Sequence, residues 1–413
     1  MNNTEAQRCL LCKRPKCSLD GCPVHTPVPE CMALYREGRL EEAGRLLFEN
    51  NPLSAITSLV CDWKKFCFGH CVLNVKQVPV RWYEIEQEIS GEYLKTHRLE
   101  RSHETPLSGK SVALVGGGPV GISAAIFLWQ KGADVTIYDA NERLGGVLRY
   151  GIPQFRLDKA ILEPYERMFA EAGIRFVGGT ELGKDLTISK LNKDFDAVLI
   201  GTGAEKAMTL RVPGEDNSLV MQALPFLKNP DAYPLGKKVI IIGGRNVAMD
   251  ACRTAVRLGA ETWVYYRKTF ENMPANPMEI EEAKADGVQF RVFQAPVEVH
   301  EHSVTFRDCE NVTDPETGKV STRIIEGTDH EVECDHLILA ISEKPDYSPL
   351  GDAQPQLDEW GFAVKDELQR LQIKGMDNIF SAGDFLLGPK TVVEAVLSAK
   401  TATENIAKYL LGA

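Results

Sequence analysis

Apolar runs of four or five residues, most of them closed by glycine, set the frame of this chain. Val112, Ala113, Leu114 and Val115 form a run long enough for one buried strand, and Gly116, Gly118 and Gly121 follow at G-x-G-x-x-G spacing. An apolar helical pattern continues through Leu128 to Gly132, and a second strand, Val135 to Tyr138, ends at Asp139. Strand, glycine turn, helix, strand and terminal acid form the plan of a dinucleotide-binding unit: one glycine allows the turn, one lets backbone approach a pyrophosphate, and one lets helix pack on strand. Gly116, Gly118, Pro119 and Gly121 are the candidate phosphate-facing residues, with Asp139 placed for a ribose hydroxyl.

The pattern recurs. Val239 to Ile242, a helix over about Val247 to Leu258, Gly259 and a strand Thr262 to Tyr266 repeat the plan, which predicts a second dinucleotide unit. A buried strand over Asp196 to Ile200 runs into Gly201, Thr202 and Gly203. Near the C-terminus, Asn378 to Ala382 reads as a strand ending in Gly383 and Asp384, and Thr391 opens a helix toward Leu411. A late Gly-Asp paired with an early G-x-G-x-x-G points to FAD.

The second glycine turn is altered. Gly243 keeps the first position, but Arg245 stands at the second and Ala248 at the third; Gly243, Gly244, Asn246 and Val247 are the candidate nucleotide-facing residues. A Cβ at the second position either clashes with a pyrophosphate or points away from it. Two readings stay open: a site that Arg245 supplies with positive charge, or a fold that has lost its nucleotide. Tyr266 takes the place of Asp139, followed by Arg267 and Lys268. Without an acid for the ribose, and with two cations in reach, NADPH is expected over NADH.

Composition narrows the class. The chain has 413 residues, 44% hydrophobic, and a net charge of −11. No apolar stretch is long enough for a membrane span and the start, MNNTEAQRCL, has no apolar core, so a cytoplasmic location is expected. The acidic balance argues against nucleic acid as partner. Eight of the eleven cysteines precede residue 72, a clustering that suggests metal or cluster ligation rather than disulfides. Cys9, Cys12, Cys17 and Cys22 form one group and Cys61, Cys67 and Cys71 another. Two short helices, around Met32 to Glu37 and Leu40 to Glu49, separate them. A closely spaced run ending in Cys-Pro commonly sends its last cysteine to a different cluster, so two iron–sulfur clusters are expected. Zinc would favour two Cys-x-x-Cys pairs, and only Cys9 with Cys12 forms one. Cys31, Cys252, Cys309 and Cys334 read as buried structural residues.

The stretches RCLLCKRPKCSLDGCP, NPL, VCDWKKFCFGHC and PVRWYEIEQEI resemble the iron–sulfur segment of the glutamate synthase small-subunit family, shared with the N-terminal part of dihydropyrimidine dehydrogenase; GGGPVG, RLGGVLRYGIPQFRL and SAGD resemble the same family. The resemblance spans nearly the whole chain. It implies two interleaved [4Fe–4S] clusters, one on Cys9, Cys12, Cys17 and Cys71, the other on Cys22, Cys61 and Cys67 with Glu86, or neighbouring Gln87, as fourth ligand. It also implies flavin contacts from Arg143, Gly145, Gly146 and Arg156, and a nicotinamide pocket closed by Met273-Pro274-Ala275 and by Ala340, where Ser342 replaces a usual glycine.

The expected fold is α/β: two Rossmann-like dinucleotide-binding domains, glutathione-reductase-like, one inserted in the other, behind a small α-helical iron–sulfur domain. The expected boundaries are 1–104 for the double-cluster domain, 105–234 and 346–413 for the FAD domain, and 235–345 for the inserted NAD(P)H domain. The function this predicts is an electron-transferring flavoprotein subunit that oxidises NADPH and serves a larger oxidoreductase subunit, glutamate-synthase-like or pyrimidine-reductase-like. One alternative is a relay or assembly subunit with a dead nicotinamide site; another is a zinc-bearing redox regulator.

Overall fold

The run Ser111–Val115 is the central strand of a five-stranded sheet in the order Ile379–Ser381, Ala197–Ile200, Ser111–Val115, Asp134–Tyr138, Arg175–Val177. All its pairings are parallel, with Leu114 set between Ile137 and Leu199. A parallel strand covered on both faces reads as an unbroken apolar run, which is why these strands were legible without alternation. Helix Pro119–Gln130 starts with proline at its first turn, where the missing N–H costs nothing and the fixed φ suits a helix. It packs against the C-terminal helix Val392–Leu411. The computed structural model describes residues 3–313, 315–316 and 320–412.

Residues 1–149, 154–204 and 345–413 form one compact unit, so the cysteine-bearing segment and the first sheet belong together. That segment is helical: Val28–Arg36, Leu40–Asn50, Ser54–Val60 and Trp82–Thr96 gather around Met32, Tyr35, Leu47, Trp82, Ile85 and Ile89. Cys31 is fully buried in this core, the place its helical spacing predicts. The hydroxyl of buried Tyr165 donates to the Pro52 carbonyl (2.8 Å), and the Lys400 ammonium donates to Asn50 Oδ1 (3.2 Å), fastening the helical segment to the sheet's helices.

The other unit comprises residues 150–153 and 205–344. Its parallel sheet has the order Val220–Gln222, His336–Leu339, Lys238–Ile242, Glu261–Tyr266, Gln289–Val292, repeating the plan of the first. The boundary expected at residue 235 falls inside this unit, because Val220–Gln222 is hydrogen-bonded to His336–Leu339. An antiparallel sheet from Gln294–Val299, Ser303–Thr313, Val320–Ile324 and His330–Glu333 completes it.

Candidate functional site

In the first unit, three adjacent strands deliver the candidate residues at their C-terminal ends, where open parallel sheets bind ligands: Gly116 to Gly121, Thr202 with Gly203, and Gly383 with Asp384. A Cβ on Gly116 (φ 108°) would lie 2.5 Å from the Gly201 carbonyl oxygen, and one on Gly121 would lie 2.0 Å from that of Gly116. Gly118 is different. Its Cβ would meet only Gly146 Cα at 3.7 Å, so bare backbone faces open space, the cradle a pyrophosphate needs. Buried Asp139 closes the turn, Oδ2 accepting from the Gly117 N–H (2.6 Å) and Oδ1 from the Asn141 N–H (2.7 Å). Gly145 donates its N–H to the Gly117 carbonyl (2.8 Å).

Arg143 and Arg149 both pair with Glu166, and Arg156 is half-buried. The Gly383 N–H donates to Ser398 Oγ (2.9 Å), and Asp384 Oδ1 accepts from the Lys390 N–H (3.0 Å). Thr391 caps the 20-residue C-terminal helix through a reciprocal pairing with Glu394. These residues fit a flavin dinucleotide: a cradle that any Cβ would fill, a buried acid at the end of the neighbouring strand and a long helix N-terminus.

In the second unit, a Cβ on Gly243 would lie 2.3 Å from the Ala340 carbonyl oxygen, whose residue in turn donates its N–H to Ile242 (2.8 Å). Arg245 sits in extended backbone (φ −96°, ψ 173°), as Gly118 does (φ −80°, ψ −161°), a conformation open to any residue, and its side chain is exposed. The Tyr266 ring lies against Gly244 and its hydroxyl donates to the Asn272 carbonyl (2.9 Å). Burial raises the Tyr266 phenol pKa, while the positive charges of Arg267 and Arg245 oppose that shift. Arg267 is exposed, and Lys268 and Val247 are half-buried. The Ala275 N–H donates to the Gly244 carbonyl and the Asn276 N–H to Asn246 Oδ1, each at 2.9 Å, folding the Met273–Ala275 segment onto the turn. Ser342 holds φ 125°, a region that glycine prefers.

The cysteines fall into two cavities. Cys9, Cys12, Cys17 and Cys71 line one, together with Val28, Val72 and Val80. Cys22, Cys61, Cys67 and Glu86 line the other. Cys67 and Trp82 line both, and Val393, in the first turn of the C-terminal helix, lines the second. Helical spacing explains the fourth wall: Trp82, Glu86 and Ser90 share the buried face of Trp82–Thr96, whereas Gln87 is turned to solvent. Burial lifts the Glu86 carboxyl to about 8 and the Cys17 thiol to about 11, and it lifts Cys61 and Cys67 well above the ordinary thiol range.

The Cys22 sulfur lies 3.2 Å from the Thr26 hydroxyl oxygen. Leu11, between Cys9 and Cys12, sits in a left-handed turn (φ 48°). Part-buried sulfurs gathered on an apolar cavity wall suit iron–sulfur thiolates. Among the described residues, no three Cys, His, Asp or Glu side chains are arranged to hold a single metal ion. Cys252, Cys309 and Cys334 are buried elsewhere. Sequence reasoning missed Trp82 as the wall between the cavities, although its i, i+4 relation to Glu86 was there to read.

Three known families match parts of the chain: dihydropyrimidine dehydrogenase domain II, 4Fe-4S cluster, over residues 1–98; NAD(P)-binding Rossmann-like domain over 114–161; and pyridine nucleotide-disulphide oxidoreductase over 181–399. The glutamate synthase [NADPH] small chain of Azospirillum brasilense is 31% identical, covering 98% of this chain and 89% of its own length. The NADPH-Fe(3+) oxidoreductase subunit beta of Geobacter sulfurreducens is 29% identical over 95% of this chain, which spans 63% of that protein. Among solved structures, FprA of Mycobacterium tuberculosis in complex with NADPH superposes with a TM-score of 0.63 over 73% of this chain and 84% of its own, at 18% identity, a likeness of fold.

Proposed function

Because this chain belongs to the glutamate synthase small-chain family, within the pyridine nucleotide-disulphide oxidoreductases, we propose that it oxidises NADPH and delivers the electrons singly to a larger partner oxidoreductase, holding FAD and two [4Fe–4S] clusters to do so. Flavin supplies the conversion between hydride and single electrons, and iron–sulfur clusters supply one-electron carriers. One observation carries this reading: the two cysteine-lined cavities adjoin each other, and one of them adjoins the start of the C-terminal helix. Val393 stands two residues from the Thr391 cap and lines the Cys22, Cys61, Cys67 and Glu86 cavity, which shares Cys67 and Trp82 with the Cys9, Cys12, Cys17 and Cys71 cavity.

The chain's own residues bind, orient and exclude water. Gly118 and Gly146 leave room for the flavin pyrophosphate; Asp139 holds that turn by accepting from the Gly117 and Asn141 N–H groups and stands at the ribose end; Thr202, Gly203, Gly383 and Asp384 border the same end of the sheet. Arg143 and Arg156 remain candidates for flavin contacts. In the second unit, Gly243, Gly244, Asn246 and Val247 form the nucleotide turn, Ala340 closes it, and Arg267 and Lys268 take the 2′-phosphate with help from Arg245. The turn at Arg245 keeps the backbone conformation of the Gly118 turn, which supports a retained nucleotide site over the relay reading.

The test is an anaerobic stopped-flow titration of the reconstituted chain with NADPH and, separately, NADH, following the flavin band. Rapid bleaching by NADPH supports the reading. Absence of bleaching by either nucleotide, in protein shown to contain FAD, would overturn it.

A further inference from the structure

Beside the Cys9, Cys12, Cys17 and Cys71 cavity lie two segments rich in basic residues. Residues 8–17 and 64–81 supply five of the seven grouped cysteines and carry eight Lys or Arg with no Asp or Glu, in a chain of net charge −11. Arg8 and Arg81 pair with buried Glu5 (2.8 and 3.6 Å). Lys13, Arg14, Lys16, Lys64, Lys65 and Lys76 are exposed.

Apolar side chains stand among them. Leu10 is 62% exposed, Val78 65% and Val75 82%, the last being the most exposed large apolar side chain of the described residues. Arg8 donates to the carbonyls of Val78 and Pro79, so the two segments lie against each other. Leu10 and Val72 line the Cys9, Cys12, Cys17 and Cys71 cavity, which places the patch at that cavity's edge. Apolar groups held in water with a rim of one charge sign are the makings of a docking face: the apolar centre gives contact, and the rim steers an oppositely charged partner. Cations that served only to offset buried thiolates would turn inward.

We propose that this face docks an acidic one-electron acceptor protein, with Leu10, Val75 and Val78 at its centre and Lys13, Arg14, Lys16 and Lys76 at its rim. The proposal rests on the NADPH-oxidising reading above. Each NADPH converted to NADP+ and a proton yields two electrons, so two acceptor molecules are reduced in turn at this face.

The probes are an acidic plant-type [2Fe–2S] ferredoxin, basic cytochrome c, and menadione, a neutral small acceptor. The variant is Lys13→Glu/Arg14→Glu/Lys76→Glu, made in the full holo-chain and checked for unchanged iron and flavin content. The wild type is expected to favour ferredoxin over cytochrome c, with kcat/KM for ferredoxin falling about tenfold between low and high salt. The variant is expected to lose at least about tenfold with ferredoxin and to keep menadione turnover within about twofold.

Equal ferredoxin kcat/KM in the two proteins, or a wild type indifferent to ferredoxin, overturns the docking face. If NADPH drives no menadione reduction, the oxidoreductase reading falls instead. Calorimetric binding of oxidised ferredoxin then decides the surface: about tenfold weaker binding by the variant supports it, and equal or absent binding rejects it.

Discussion

At the residue scale, the choice between Glu86 and Gln87 turns on one step of helical rotation. Adjacent residues on a helix point about 100° apart, and the buried face set by Trp82, Ile85 and Ile89 includes position 86 and leaves 87 in water. Glu86→Ala is expected to remove one cluster's worth of iron while flavin stays bound, and Gln87→Ala to leave iron content unchanged; iron and sulfide assays with electron paramagnetic resonance check both. Arg267 and Lys268 bear on nucleotide choice. Replacing both with Ala is expected to weaken NADPH by roughly tenfold to a hundredfold, the value of one or two charge-assisted hydrogen bonds, and to leave NADH nearly unchanged in equilibrium titrations. Arg245→Gly restores the usual turn residue yet removes a cation from the nucleotide turn, so NADPH affinity is expected to fall severalfold; tighter binding would show that Arg245 obstructs the site.

At the element scale, helices Asn246–Arg257 and Pro277–Ala285 are tied by charge as well as by apolar contact. Arg253, 9% exposed, donates to Asp286 (2.7 Å) and to Glu282, and Arg257 also donates to Asp286 (2.6 Å). The Arg257 hydrogen bond, reinforced by Arg253, holds the Asp286 carboxyl below the ordinary aspartate value despite partial burial. A carboxylate whose folded pKa is depressed contributes stability above its unfolded pKa and loses that contribution as pH falls through the folded value. Asp286→Asn is therefore expected to cost about 1–2 kcal/mol at neutral pH, with the wild-type and variant urea curves converging as pH drops below about 4. The elements themselves were legible in the sequence. The predicted strands, and the helices beside them, match those observed to within one or two residues, because buried parallel strands and amphipathic helices are set by local periodicity; the helix expected from Met32 begins at Val28 instead.

At the scale of the whole molecule, packing unites segments far apart in the chain. The cysteine-bearing helices share a compact unit with a sheet whose last strand begins at Ile379. The Tyr165 hydroxyl bonded to the Pro52 carbonyl is one fastening, and Tyr165→Phe is expected to cost about 1–2 kcal/mol in denaturant unfolding, since it strands a buried carbonyl. The sequence by itself determined the two glycine turns, the strands that lead into them, the clustered cysteines and the membership of the family, since each is written in residues within a few positions of one another. Only the tertiary structure decided three other matters. It put Cys67 on the wall of both cavities, chose Glu86 over Gln87 to line the second, and drew Val220–Gln222 into the inserted unit across the expected boundary. Those outcomes depend on which distant elements share a wall, and no local period encodes that.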